Sequence, residues 1–269
     1  MAAIQDTRSM ALFCDFENVA LGVREAKYAQ FDIGKVLERL LLKGTIVVKK
    51  AYCDWDRYKD FKPGMHSAAF ELIEIPHLRQ SGKNSADIRM VVDALDLCYT
   101  KSHVDTFVIL SGDSDFSPLV SKLRENAKTV IGVGVKNSSS DLLIANCDEF
   151  IYYDDLVRED EAKRRAARKR KEARPAATTK EAAPTEDKRQ EALDLVLETV
   201  IALIAERGED ERIWGSMVKQ ALKRRSPGFN ESYYGFRAFS DLLEEAQKRG
   251  LLSIERDEKS GGHIIRRAA

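Results

Sequence analysis

Two stretches of this chain, TFVIL at 106–110 and TVIGVGV at 129–135, are apolar at nearly every position. Successive side chains of a strand point to opposite faces. A strand that is apolar on both faces therefore belongs inside a sheet covered on both sides, and such sheets are mostly parallel with helices as the covers. The rest of the first half fits that demand. Strand-like runs lie at Met10–Cys14, Thr45–Cys53, Phe70–Ile75 and Glu149–Tyr152, besides the two named. Apolar residues recur at helical spacing over 32–42 (Ile33, Val36, Leu37, Leu40, Leu41) and 86–99 (Ile88, Val91, Val92, Leu95, Tyr99), with shorter helices expected at 116–126 and 141–146. Strands alternating with helices predict an α/β fold over residues 8–156, a parallel sheet with helices on both faces.

The pattern stops at 157. Residues 157–189 hold almost nothing apolar larger than alanine, and they include Pro175 and Pro184. Such a segment cannot bury a core, and a flexible linker is expected, its first half open to transient helix. Its run of lysines and arginines at 163–171 is the one basic block of the chain. That block is either a solvated, solubilising face or an attractor for a phosphate backbone. Compact patterning returns over 190–267: helices at 192–207, 214–223 and 235–249, then LLSIER and HIIRR flanking a turn. Three helices followed by a hairpin predict a small winged-helix domain.

Composition removes several function classes. Lys+Arg and Asp+Glu balance at 44 each, so any nucleic-acid surface has to be local. The opening MAAIQDTRSM lacks the apolar core of a signal peptide, and no apolar run approaches the roughly 18 residues of a membrane span. A soluble, cytoplasmic chain without membrane contact is expected. Cys14, Cys53, Cys98 and Cys147 stand far apart, and the four histidines do not cluster, which argues against a zinc site or a histidine-based triad.

What the chain does carry is acid at strand ends. ALFCDFEN delivers Asp15, followed by Glu17 and Asn18; FVILSGDSD delivers Asp113 and Asp115; the loop HLRQSGKNSAD delivers Asp87 to the start of a helix. In open α/β sheets, ligands bind beyond the carboxyl ends of the strands. Carboxylates brought together there repel one another, and a divalent cation removes the conflict. All-oxygen donors suit Mg²⁺ or Mn²⁺ rather than Zn²⁺, and an ion so held supports phosphodiester hydrolysis. Each acid also has a structural reading. Asp87 suits a helix N-terminus, and Asp113 or Asp115 can cap the helix that follows. Asp15 shows no evident capping role. Asp93 and Asp96 read as the solvent face of a helix, and Asp141 as a cap.

The motifs FCDFENV, GKNSADIRMVVDAL and FVILSGDSDFSPLV, followed by VIGVGV and CDEFIYY, resemble the NYN domain of the LabA-like group. The resemblance covers residues 8–156 and implies a PIN-like fold with metal-dependent ribonuclease activity. It places the catalytic and metal-binding acids on Asp15, Asp87, Asp113 and Asp115, with Asn18 and Ser111 as supporting polar groups. Residues 190–267, through FNESYYGFRAFSDLLEEAQKRGLLSIER, resemble an OST-HTH (LOTUS) winged helix, which implies RNA binding. RNA-contact candidates are Lys83, Lys219, Lys223, Arg224, Arg225, Arg237, Tyr233 and Tyr234, while Phe236 and Phe239 have core spacing.

The leading expectation is a Mg²⁺- or Mn²⁺-dependent ribonuclease with RNA as its partner and a homodimer as an open option. A haloacid-dehalogenase-like phosphatase would need a second aspartate two residues after Asp15, where this chain has Glu17. A non-catalytic RNA-binding or scaffold protein of the same architecture is the remaining alternative.

Overall fold

The computed structural model describes residues 8–75, 85–172, 184–208, 211–226, 228–257 and 262–267. The chain divides into two compact units, one over Thr7–Ala173 and one built on Arg174–Ala269.

In the first unit the elements run β1 (Arg8–Asp15), α1 (Phe16–Glu25), α2 (Ile33–Lys43), β2 (Gly44–Cys53), α3 (Lys62–Ser67), β3 (Glu71–Glu74), α4 (Ser85–Thr100), β4 (Thr106–Leu110), α5 (Ser117–Glu125), β5 (Thr129–Gly134), α6 (Asp141–Asn146), β6 (Glu149–Tyr152) and α7 (Tyr153–Glu172). The strands form one sheet in the order β3-β2-β1-β4-β5-β6, with every adjacent pair parallel. This is a PIN-like α/β fold.

Alternation along the central strands divides the core in two. Met10, Leu12 and Cys14 of β1 and Val108 and Leu110 of β4 face a layer with Val19, Val23, Val36, Leu40 and Leu156. Ala11, Phe13, Phe107 and Ile109 face the opposite layer with Met90, Ala94, Leu119, Val120 and Leu123. Every one of the strand residues just named is fully buried. Burying a large apolar side chain contributes about 1.5–3 kcal/mol, so a one-residue slip of β1 leaves neither layer unaffected.

Four local expectations are corrected. The segment after β1 forms a helix, α1, where the pattern of strand and helix runs predicts none; its buried face is Phe16, Val19, Gly22 and Val23. On α4 the buried face is Met90, Ala94 and Cys98, whereas Ile88, Val92 and Tyr99, expected to face the core, are exposed. Asp93 is not on a solvent face: it accepts from Tyr52 Oη at 2.8 Å and pairs with Lys50 at 3.3 Å and Arg89 at 3.0 Å. Ser140 rather than Asp141 caps α6, accepting from Leu142 N at 3.2 Å.

α7 continues through Glu172, into the segment read as linker. Its first part packs on the sheet domain, with Leu156 in the core and Lys35 of α2 paired to Asp160. The second unit holds α8 (Pro184–Arg207), β7 (Ile213–Trp214), α9 (Gly215–Arg225), α10 (Phe239–Lys248), β8 (Leu252–Arg256) and β9 (His263–Arg267). β9 pairs antiparallel with both β7 and β8. The short strand β7 went unread because two residues carry no alternation.

Candidate active site

β1 and β4 are neighbours in the sheet, and Cys14 pairs with Leu110 in register. From β1 the strand order proceeds one way to β2 and β3 and the other way to β4, β5 and β6. The crevice beyond the carboxyl ends of β1 and β4 is thus the topological switch point, where doubly wound sheets bind ligands. Asp15 is the last residue of β1 and the serine-glycine turn at 111–112 follows β4 directly.

Asp15 is 7% exposed. Its Oδ2 accepts from Ser111 Oγ at 2.9 Å, and its Oδ1 accepts from Asn18 N at 3.4 Å. The second contact makes Asp15 the N-cap of α1, a correction to the reading that it had no capping role. Capping does not settle its charge. Burial first, and then the negative Asp87 nearby, push its carboxyl up to about 7 against the two hydrogen bonds that favour the anion.

The turn after β4 is wired to the same point. Ser111, fully buried, also accepts from Asp113 N at 3.2 Å. Asn18 Oδ1 accepts from Gly112 N at 2.8 Å, tying α1 to the β4 turn. A methyl group on Gly112 would overlap the Ser138 carbonyl, so only glycine lets the segment after β5 close on the turn. Ser140 N donates to Gly112 O at 2.9 Å in that closed arrangement. Asp113 caps a short 3-10 turn at Ser114–Phe116 by accepting from Asp115 N at 2.9 Å. Asp115 itself is exposed.

Asp87 enters from the first turn of α4. Burial raises its carboxyl, and the negative charges of Asp113, Asp115 and Glu17 raise it further. Asp15, Asp87, Asp113 and Asp115 are therefore electrostatic neighbours at one sheet edge, and Asn18 holds the turn between them. Two further charged groups join this edge. Glu17, in the first turn of α1, pairs with Arg57 at 3.0 Å. Arg57 sits on the loop after β2, which an aromatic cluster fixes: Phe16 meets Trp55, Tyr58 and Phe61 at ring distances of 4.9, 5.5 and 5.0 Å. Glu17 was visible in the motif two residues after Asp15; Arg57 had no sequence signal.

The donor chemistry fits a hard divalent cation, since the edge offers only oxygen ligands and an uncompensated negative charge. The carboxylates do not form a closed shell as they stand: among the described residues, no three His, Cys, Asp or Glu side chains are close enough together to hold a metal ion. Like charges separate unless a cation draws them in.

The RNA-contact candidates differ in exposure and in their partners. Lys83 lies outside the described residues. Lys219 pairs with Glu231 at 2.9 Å, and Arg225 donates to the buried Thr199 at 3.1 Å. Burial lowers the Arg224 guanidinium from its ordinary range. Tyr234 stacks on Phe229 at 5.2 Å. Lys223 and Arg237 are exposed, as is Tyr233, which carries Lys188 over its ring at 4.3 Å. Phe236 and Phe239 are buried.

A family model described as the NYN domain matches residues 9–154. The chain is similar to an uncharacterised protein of Methanocaldococcus jannaschii, at 27% identity over 117 residues, or 44% of this chain. The match spans 45% of that relative's length. A crystal structure of a protein of unknown function from Vibrio parahaemolyticus superposes with a TM-score of 0.50 at 27% identity, covering 56% of this chain and 96% of that one.

Proposed function

Since this chain belongs to the NYN domain family, whose members are in general nucleases, we propose that it is a divalent-metal-dependent ribonuclease. The observation that carries this reading is the charge conflict at the switch point. Asp15 is doubly hydrogen-bonded, yet burial first, and then the charges of Asp87 and Asp113, push its carboxyl up to about 7. A fold stabilised only by its own contacts gains nothing from that conflict.

In this proposal Asp15, Asp87, Asp113 and Asp115 hold Mg²⁺ or Mn²⁺. The bound ion supplies a polarised phosphoryl oxygen and a water acidic enough to act as nucleophile. Ser111 orients Asp15 through its 2.9 Å hydrogen bond. Asn18 fixes the Gly112 turn, and with it the approach of Asp113. Arg57 supplies a positive rim for the RNA backbone. The second unit is proposed as an OST-HTH (LOTUS) winged helix; its helices and antiparallel strands fit that element order. Lys223, Arg237 and Tyr233 are the candidates there that stay exposed for RNA. Joined to the nuclease unit through the basic 163–171 segment, they raise the effective concentration of RNA at the acids.

The test is cleavage of single-stranded RNA across a metal series. Mn²⁺- or Mg²⁺-dependent cleavage lost in Asp113→Asn is the expected result; wild type inert on varied RNAs with every metal would sink the reading. The other outcome is a non-catalytic RNA-binding protein of the same architecture. In that case RNA binding persists in the same assay with no cleavage.

A further inference from the structure

Helix α4 has two apolar faces. Met90, Ala94 and Cys98 are buried against the sheet. On nearly the opposite side, Ile88 is 64% exposed, Val92 55% and Tyr99 63%. At about 100° per residue these three fall within a narrow stripe along the helix, with the half-buried Leu95 at its edge. A single amphipathic helix needs one apolar face, and the second lacks a partner within the described contacts of the sheet unit apart from one long hydrogen bond, Asn126 Nδ2 to Tyr99 Oη at 3.4 Å.

The flank of this stripe carries Arg89 and Asp96, seven positions apart and about two turns along the same side. Asp96 is exposed. Arg89 gives one hydrogen bond to Asp93 at 3.0 Å and remains 56% exposed; a guanidinium has five donors, so others are left over. Opposite charges two turns apart on one flank are self-complementary under one symmetry alone. If a second copy lies antiparallel across the stripe, a two-fold axis next to Val92 sets Arg89 against Asp96 of the other copy, twice. The same axis brings Val92 against its own counterpart and Ile88 level with the span between Leu95 and Tyr99 of the other copy. A parallel two-fold pairing leaves the two charged flanks on opposite sides of the seam and forms neither pair.

We propose that the exposed face of α4 docks a second copy of this chain antiparallel about a two-fold axis at Val92. The contact is isologous, each copy giving the same apolar stripe and the same charge pair. One helix pair is at the small end of specific interfaces, so the association is concentration-dependent. The interface stands whether or not the neighbouring acids cut RNA.

Sedimentation velocity on the full chain tests it. Wild type is expected to shift reversibly from the 30.3 kDa chain to twice that mass as concentration rises. Val92→Asp, or Ile88→Asp as a second variant, stays at the single-chain mass with an unchanged far-UV circular dichroism spectrum. Arg89→Asp alone faces acid with acid, and Asp96→Arg alone faces base with base, so each is expected to be monomeric. An equimolar mixture of those two variants restores both charge pairs and the dimer. Wild type at the single-chain mass throughout, a dimer that survives Val92→Asp, or folded charge variants that fail to associate on mixing would each overturn the proposal.

Discussion

The second unit and the β1–β4 edge of the first treat charge in opposite ways. In the second unit, charged side chains find partners inside the unit. Lys219 meets Glu231 at 2.9 Å, Arg249 meets Glu186 at 2.7 Å and Glu245 at 2.8 Å, and Arg266 meets Glu255 at 3.1 Å. At the β1–β4 edge of the first unit, like charges act on one another: after burial, Asp87 and Asp113 raise the Asp15 carboxyl, and Asp113, Asp115 and Glu17 raise that of Asp87. Paired charges account for themselves as structure. Unpaired like charges on rigid strand ends cost stability, and that cost is recovered only when something positive arrives. The contrast supports the proposed site at the sheet edge more than any single acid does.

The strongest way to break this contrast is Asp113→Asn. If the edge is a catalytic metal site, cleavage falls by roughly 10²-fold or more, while the fold persists because an amide can still accept from Asp115 N. Unchanged cleavage would make Asp113 a cap and nothing else.

The next effect is thermodynamic. The folded-state value of Asp15, about 7, lies above its ordinary 3.8. The folded protein therefore holds this proton more tightly than the unfolded chain does. That contribution is complete at pH below 3.8 and is lost as pH rises through about 7. In metal-free protein, Asp15→Asn is expected to be the more stable at about pH 8, by on the order of 2–4 kcal/mol relative to its difference from wild type at about pH 4. Adding Mn²⁺ narrows the gap by stabilising wild type alone. Denaturant melts of both proteins at the two pH values, with and without metal, measure it; parallel pH profiles would contradict the charge conflict.

Arg57→Ala comes third. Its ion pair with Glu17 has side chains 52% and 34% exposed, so stability is expected to change by about 0.5 kcal/mol or less. RNA cleavage should show a several-fold rise in KM with kcat held, which steady-state kinetics resolves. The smallest effect lies in the second unit. Lys223→Ala should leave the melting temperature unchanged and reduce the log-log salt slope of RNA binding by about one. Lys219→Ala should do the reverse, costing up to about 1 kcal/mol of stability with little change in that slope. If both lysines behave alike, the division between paired and free charge does not extend to this unit.

Much of the sheet unit was legible because period and burial coincide there. TFVIL is β4 to the residue, and the helix at 141–146 is α6. The acids were legible as candidates because two strand ends and the start of a helix deliver them. The α4 face was misread for a physical reason: the helix is apolar on both sides, and periodicity does not say which side meets the sheet. Asp15 was misread as uncapping because a cap is a backbone geometry, and Asn18 N reaches its Oδ1 only once α1 is formed. In the second unit, Lys219, Arg225 and Tyr234 looked available by composition, yet Glu231, Thr199 and Phe229 occupy them.

The residues alone determined that β4 and β5 must be buried on both faces of a parallel sheet, and hence that acids following such strands emerge at one edge of it. They did so because apolar strands have no other stable place in water. Only the tertiary structure decided how those acids relate. The order β3-β2-β1-β4-β5-β6 puts β1 beside β4, across 96 residues of chain, so that Ser111 can hold Asp15. Strand order is set by packing among all the elements, and no local pattern in the sequence encodes it.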